Sequence, residues 1–432
     1  MWRAALFMPG TVATLCLGVL WTAAHGCLAG EAISSAAILQ PVVSAGQAAP
    51  VGGGSFDRFE LAGQAIPASS NRNGDVAFFA SLVRSKADEG LFIAAGDRIS
   101  KLAAVGDVIP SGEHIGDFTD RPGVALNEAG VAAFVAALAG GRATGGVFIA
   151  TNGKLDPVVL SGGAAPEMAG GTLTSFESPA LDDSGNVGFL ASVRRARGSS
   201  DAIFLYRGGE LRKMVAAGDE APGGGVFSGF GAAAMNNHGI IAFPAIVEQG
   251  SVLGGLYVVE EGRARLALGA GSPAPNGGIF AKFSEQVAIN DAGTIAFSAV
   301  LRRGGPAAAI FVLDRETSQP IAATGDPAPE GGTFAAFPSW PVLSRRGTIG
   351  FIASIDNGPS PLAVYVAGSA GLKRLAGIGD TLPDGARLAS FTRYPALAIG
   401  PDDAVTFAAA SERDGRTRDA LFYLGPPRQG RR

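Results

Sequence analysis

From about residue 36 onward, short apolar runs alternate with glycine-rich polar punctuation along the whole chain. The run Val76 to Leu82 sets small and large side chains in turn, the two-residue period of a strand covered on both faces. Just before it stands Asn71-Arg-Asn-Gly74. Such a tetrad is a hairpin turn, because an Asn side chain can bond the backbone two residues on, and Gly takes the φ > 0 position that ends a type I turn with a G1 bulge.

The octamer Asn71 to Phe78 returns as Asn127-Glu-Ala-Gly130 through Phe134, Asn236-Asn-His-Gly239 through Phe243, and Asn290-Asp-Ala-Gly293 through Phe297. Weaker copies run from Asp182 to Phe189, Ser344 to Phe351 and Gly400 to Phe407. The phenylalanines at 78, 134, 189, 243, 297, 351 and 407 are spaced by 56, 55, 54, 54, 54 and 56 residues. A second string, Gly218-Asp219 to Pro222 with Phe227 and Phe230, repeats in phase from Gly46, Gly106, Gly162, Gly271, Gly325 and Gly379. An apolar strand with a central aromatic supplies a third marker, at Phe92, Phe148, Phe204, Tyr257, Phe311, Tyr365 and Phe422. Each marker counts seven units.

Each unit reads as four strands. Strand a ends at the tetrad (Ser178 to Leu181 in the third unit), strand b follows it, strand c carries the aromatic, and strand d (Leu211 to Ala216) enters the Gly-Asp-Pro segment, a long irregular crossing to the next unit. Four-stranded units of this length, repeated four to eight times, predict an all-β seven-bladed β-propeller. Residues 36–45 look like a strand d without predecessors, and Leu421 to Leu424 like a strand c without a d. Pairing the two closes the ring and removes its open edges. The expected propeller spans residues 36–424 as one domain, with a disordered tail at 425–432.

Composition fits that picture. Glycine is 64 of 432 residues and charged residues are 17%, where about 7% and 25% are usual. The excess glycine falls at the hairpins and crossings, and low charge follows when each sheet is covered on both faces. A net charge of −4 provides no basic footprint for nucleic acid.

Residues 1–30 differ from the rest. Arg3 precedes an apolar run from Ala4 to Ala24 that ends in small residues, the pattern of a secretory signal peptide. Acylation at Cys27 and retention as an uncleaved anchor are the alternatives. Export is the expectation, to the periplasm or the medium, with the membrane touched only if this segment is kept. Both cysteines lie here, so the mature chain is expected to have no thiol chemistry. Two histidines remain, His114 and His238, and their turn contexts do not suit a zinc site; His238 is expected to be exposed and inert.

The octamers resemble the NxxGxxAF-repeat, or choice-of-anchor tandem-repeat, bacterial surface proteins, over roughly residues 40–424. That resemblance implies a repetitive surface or secreted protein and transfers no catalytic residue. Members often end in a Pro-Glu-Pro sorting signal with a membrane span; this chain ends Gly425-Pro-Pro-Arg-Gln-Gly-Arg-Arg432.

Candidate chemistry is sparse. Asp107, Asp219, Asp326 and Asp380 recur at the crossings, but one regular carboxylate per unit is too few for a calcium loop, and a turn role is expected. The Gly-Gly runs lack the Gly-Lys-Ser/Thr ending of a phosphate loop. Loops between strands b and c carry 11 basic residues, among them Arg194, Arg195, Arg302 and Arg303, the candidate binding residues. Trp340, between Phe337 and Pro341, is expected to pack between blades. No catalytic residue, metal or cofactor is predicted. The expected function is a non-catalytic binding or scaffolding module, monomeric, whose partner is a glycan or an envelope protein. The alternative is an extracellular polysaccharide hydrolase or lyase, and acids converging with a cation in the channel would favour it.

Overall fold

The computed structural model describes residues 38–426 and 428, apart from 62–63, 66, 119–122, 152 and 393–394; the predicted leader therefore lies outside the described residues. Its strands form seven consecutive antiparallel sheets, each ordered a-b-c-d. In the fourth blade these are Val226–Phe230 with Ala234–Met235 (a), Ile241–Glu248 (b), Gly254–Glu260 (c) and Arg263–Gly269 (d). The chain is a seven-bladed β-propeller.

Closure follows the expected pairing. Strand Ile38–Ser44 runs antiparallel to Arg416–Gly425, with Leu39 opposite Leu424 and Val43 opposite Leu421. The last blade takes its outer strand from the N-terminal part of the chain, which ties the two ends of the chain into one blade and closes the ring. The final strand reaches Gly425, one residue past the expected boundary, and the Arg428 Nε–H bonds the Gly74 carbonyl at 3.1 Å. Otherwise the predicted tail falls largely outside the described residues.

Strand alternation explains the core. Successive residues of one strand b face opposite neighbours: Val76, Phe78 and Ala80 pack toward the seventh blade, while Ala77 and Phe79 pack toward the second. Seven apolar clusters result, one at each seam between blades. The strand b phenylalanine lies directly opposite the strand c aromatic in every blade, from Phe78 and Phe92 to Phe407 and Phe422. Ring centroids within these pairs are 5.4–6.0 Å apart, in the range where aromatic pairs attract beyond their burial.

Two expectations are corrected. The Gly-Asp crossing is compact and regular: Gly218 N–H bonds the Phe227 carbonyl at 2.8 Å and Phe227 N–H bonds the Asp219 carbonyl at 3.0 Å. Bonds of the Gly218 type recur in all seven units, at Gly46, Gly106, Gly162, Gly271, Gly325 and Gly379. Strand a is also longer than its tetrad-proximal half. An upstream piece pairs with the far end of strand b, and in six blades the two pieces are separate strands among the described residues. Only the third blade keeps one strand, Thr172–Leu181, with Ser178 held at φ 53° where the register shifts. No single run of apolar alternation joins the two pieces, so the pattern of the sequence does not reveal the upstream one.

Candidate functional site

The a-b hairpins converge on the axis. Asn236 Oδ1 accepts the N–H groups of His238 at 3.0 Å and Ile240 at 3.1 Å, closing the turn, and Gly239 supplies φ 76°. Asn71 and Asn127 do the same, at Gly74 and Gly130, and Asn290 accepts from Thr294, with Gly293 in the left-handed region. The Asn side chain has a second use that the turn argument alone misses. Its Nδ2 donates to the carbonyl at the equivalent position of the next blade: Asn71 to Asn127, Asn127 to Asp182, and Asn236 to Asn290, at 3.0–3.3 Å. An amide carries the acceptor and the donor on separate atoms, so Oδ1 can close its own turn while Nδ2 reaches the next blade, which suits Asn to the head of the motif, where it is buried.

The residue after each Asn extends the belt. Arg72 N–H bonds Glu128 Oε2, Glu128 N–H bonds Asp183 Oδ1, Asp183 N–H bonds Asn237 Oδ1, and Asn237 N–H bonds Asp291 Oδ1. Arg345, from the sixth blade, lies 2.6 Å from Asp183 and within 3.5–3.7 Å of Glu128 and Asp291. One guanidinium thus gathers carboxylates from the second, third and fifth blades. Burial alone raises the Asp291 carboxyl, but the Asn237 donors together with Arg345 and His238 hold it below the usual aspartate range. His238 itself is exposed.

At the crossings, Oδ2 of Asp107, Asp219, Asp326 and Asp380 accepts the N–H three residues earlier, at 2.8–2.9 Å. In three of these blades a strand d cation, Lys101, Lys213 or Arg374, pairs with the same carboxylate.

The opposite end of the axis is open. A cavity of about 950 Å3 is lined, among the described residues, by innermost segments of six blades: Pro67, Val124, Glu177 to Pro179, Phe230 to Ala233, Ala281 to Val287, and Trp340. It reaches outward between the fourth and fifth blades along Pro244 to Ile246 and Leu253 to Gly255. The breaks in strand a build this lining. At their closest, Gly231 N–H bonds the Pro244 carbonyl and Ala232 N–H bonds the Glu285 carbonyl, both at 2.8 Å. A Cβ on Gly231 would overlap the Glu285 carbonyl and the Pro244 ring.

Trp340 departs from expectation: it is 42% exposed and lines the cavity instead of packing between blades. Phe337 takes the packing role, against Phe334 and Phe351. The four candidate arginines stand exposed on the b-c hairpins, outside the cavity lining. Arg195 is held within its own blade by Ser200 Oγ and the Ala217 carbonyl. Sequence reasoning missed Lys282, Ser284, Glu285 and Gln286, which line the cavity in a single stretch. Their one signal was position, at the point where strand a of the fifth unit breaks.

Residues 31–316 match a family of unknown function, DUF7453. No curated protein matches the chain. Among solved structures, an oligogalacturonate lyase in complex with manganese is similar at 12% identity and a TM-score of 0.48, covering 91% of this chain and 98% of that one. The Dos1 propeller is similar at 12% identity and TM-score 0.43, covering 89% and 95%. A Hadza microbial sialidase is similar at 8% identity and TM-score 0.39, covering 80% and 73%. Likeness this distant says nothing of activity.

Proposed function

We propose that this chain, which belongs to the DUF7453 family, is a non-catalytic binding module that works outside the cytoplasm and takes a small ligand into the open end of its axis. The observation that carries this reading is the cavity of about 950 Å3 fed by six blades, within the roughly 300–1,000 Å3 of small-molecule sites. Export is supported by the apolar run behind Arg3, and the octamers keep the resemblance to NxxGxxAF-repeat surface proteins within the same reading. Blade lengths that stay at 54–56 residues leave no room for a large inserted catalytic loop.

One observation favours the enzyme as a second reading: Glu177, Glu285 and Lys282 line the same cavity, two acids and a cation where sugar cleavage needs a carboxylate pair. The test is to incubate the full chain with neutral and acidic oligosaccharides and follow both bound ligand and product masses. Saturable binding with no product supports the binding module. Turnover lost in both Glu177→Gln and Glu285→Gln replaces it with the enzyme.

A further inference from the structure

The lining of the open cavity is chemically lopsided. Its most exposed aromatic among the described residues is Trp340, with Phe230 half-buried in the same lining, and the backbone beneath the indole is fixed, because the buried Ser339 Oγ accepts Ile352 N–H at 3.2 Å. In the neighbouring fifth blade, Ser284 is committed to its own segment: its hydroxyl donates to the Gln286 carbonyl at 2.7 Å and accepts Ser298 N–H at 3.3 Å. That bonding, with the Glu285 carbonyl accepting Ala232 N–H, anchors the stretch by its main chain. The side chains of Lys282, Glu285 and Gln286 make no bond among the described residues, and all three residues line the cavity. An aromatic platform therefore shares the cavity with two donors and two acceptors that the fold itself does not use.

Ligand classes fit this lining unequally. A hydrocarbon would strip water from the three polar side chains without replacing it, at a desolvation cost. A quaternary cation wants several aromatic faces around it, whereas Phe283 is buried, Phe230 is half-buried and the cation Lys282 lines the same cavity. A polyanion meets Glu177 and Glu285 against one lining cation, Lys282, among the described residues. A neutral pyranose suits all of it. Its C–H face carries slight positive charge and lies on the negative face of an indole, while its hydroxyls each donate and accept. Glycine and proline supply much of the remaining wall, at Gly123, Pro179, Gly231 and Pro244, which lets a flat ring approach the backbone closely.

We propose that the cavity binds a neutral oligosaccharide, one ring resting on Trp340 and its hydroxyls bonded by Lys282, Glu285 and Gln286. The inference rests on the axial cavity being the binding site and adds the ligand class. The test uses the full chain, reading Trp340 emission as the difference between the native protein and Trp340→Phe, which removes the contribution of Trp2 and Trp21. Ligands are an array of neutral hexose, deoxyhexose and N-acetylhexosamine oligosaccharides, with digalacturonate, choline and an apolar fragment set as contrasts. The expected result is a saturable emission change with at least one neutral oligosaccharide. Calorimetry should then show affinity falling tenfold or more in Trp340→Ala and in Glu285→Gln, and unchanged in the Arg302→Ala, Arg303→Ala double variant. Each variant is first checked for native thermal unfolding. Binding confined to digalacturonate, choline or apolar fragments overturns the saccharide and leaves the cavity standing as a site. Neutral-sugar binding undiminished in Trp340→Ala overturns the placement. No emission change with any ligand overturns the saccharide and the cavity reading together.

Discussion

Asn237 and Trp340 occupy opposite ends of the same axis, and the repeat treats them oppositely. At the a-b hairpin end, side chains and turn amides bond from blade to blade, and Arg345 draws three carboxylates across the centre. At the other end the inner strands break, the blades separate around a cavity, and an indole and three polar side chains line it without being needed by the fold. Groups already bonded to each other have little left for a ligand, while groups held in place but unbonded do. The end that stabilises the ring and the end that suits recognition are therefore different ends of one channel.

The largest way to break this contrast is at the belt. Asn236→Ala removes two turn bonds and the link to Asn290; stranding buried partners should cost about 3 kcal/mol in denaturant unfolding. Asn236→Asp keeps both turn bonds but sets a carboxylate oxygen against the Asn290 carbonyl, without the Asn186 Nδ2 donor that satisfies Asp182 at the equivalent position, so its cost should be about 1–3 kcal/mol.

Arg345→Met comes next. It leaves Glu128, Asp183 and Asp291 facing one another, and since all four groups keep some exposure the loss should be about 1–3 kcal/mol, below that of a fully buried pair. Calorimetric melting at neutral pH measures it.

Acid probes the same end more gently. The folded Asp291 carboxyl sits below its unfolded value of about 3.9, so its contribution is complete above that value and is lost as pH falls through the lower folded one. Melting temperature should decline as pH drops below about 4, and Asp291→Asn should show a shallower decline from a lower starting point. At the open end, Trp340→Ala should change stability by less than about 0.5 kcal/mol, the range of an exposed substitution outside a bonded network.

Much of the ring was legible because its signals are local and repeated. The octamer, the crossing and the aromatic strand each count seven, and residues 36–45 and 421–424 complete one another. The belt was half legible: a turn needs Asn as acceptor, but its donor bond spans 54–56 residues to a carbonyl, and nothing local in the octamer encodes that. The axial cation is not legible for a related reason. Arg345 sits in a degenerate tetrad, Ser344-Arg-Arg-Gly347, and meets Asp183 across 162 residues. The cavity was the least legible, since it is made by interruptions in strand a, where the repeat is weakest, and Trp340 there resembled a core aromatic. The arginines stand out in the sequence by charge, yet strands b and c carry them to the rim and away from the axial lining.

Amide hydrogen exchange, resolved residue by residue on the native chain, tests the central claim most directly. Hairpin-tip amides ordinarily exchange quickly, but the N–H groups of Arg72, Glu128, Asp183 and Asn237 donate to neighbouring blades and should be protected at least a hundredfold over Arg303, which no such bond reaches among the described residues. Equal and rapid exchange at both sets of tips would contradict a propeller tied at one end of its axis and open at the other.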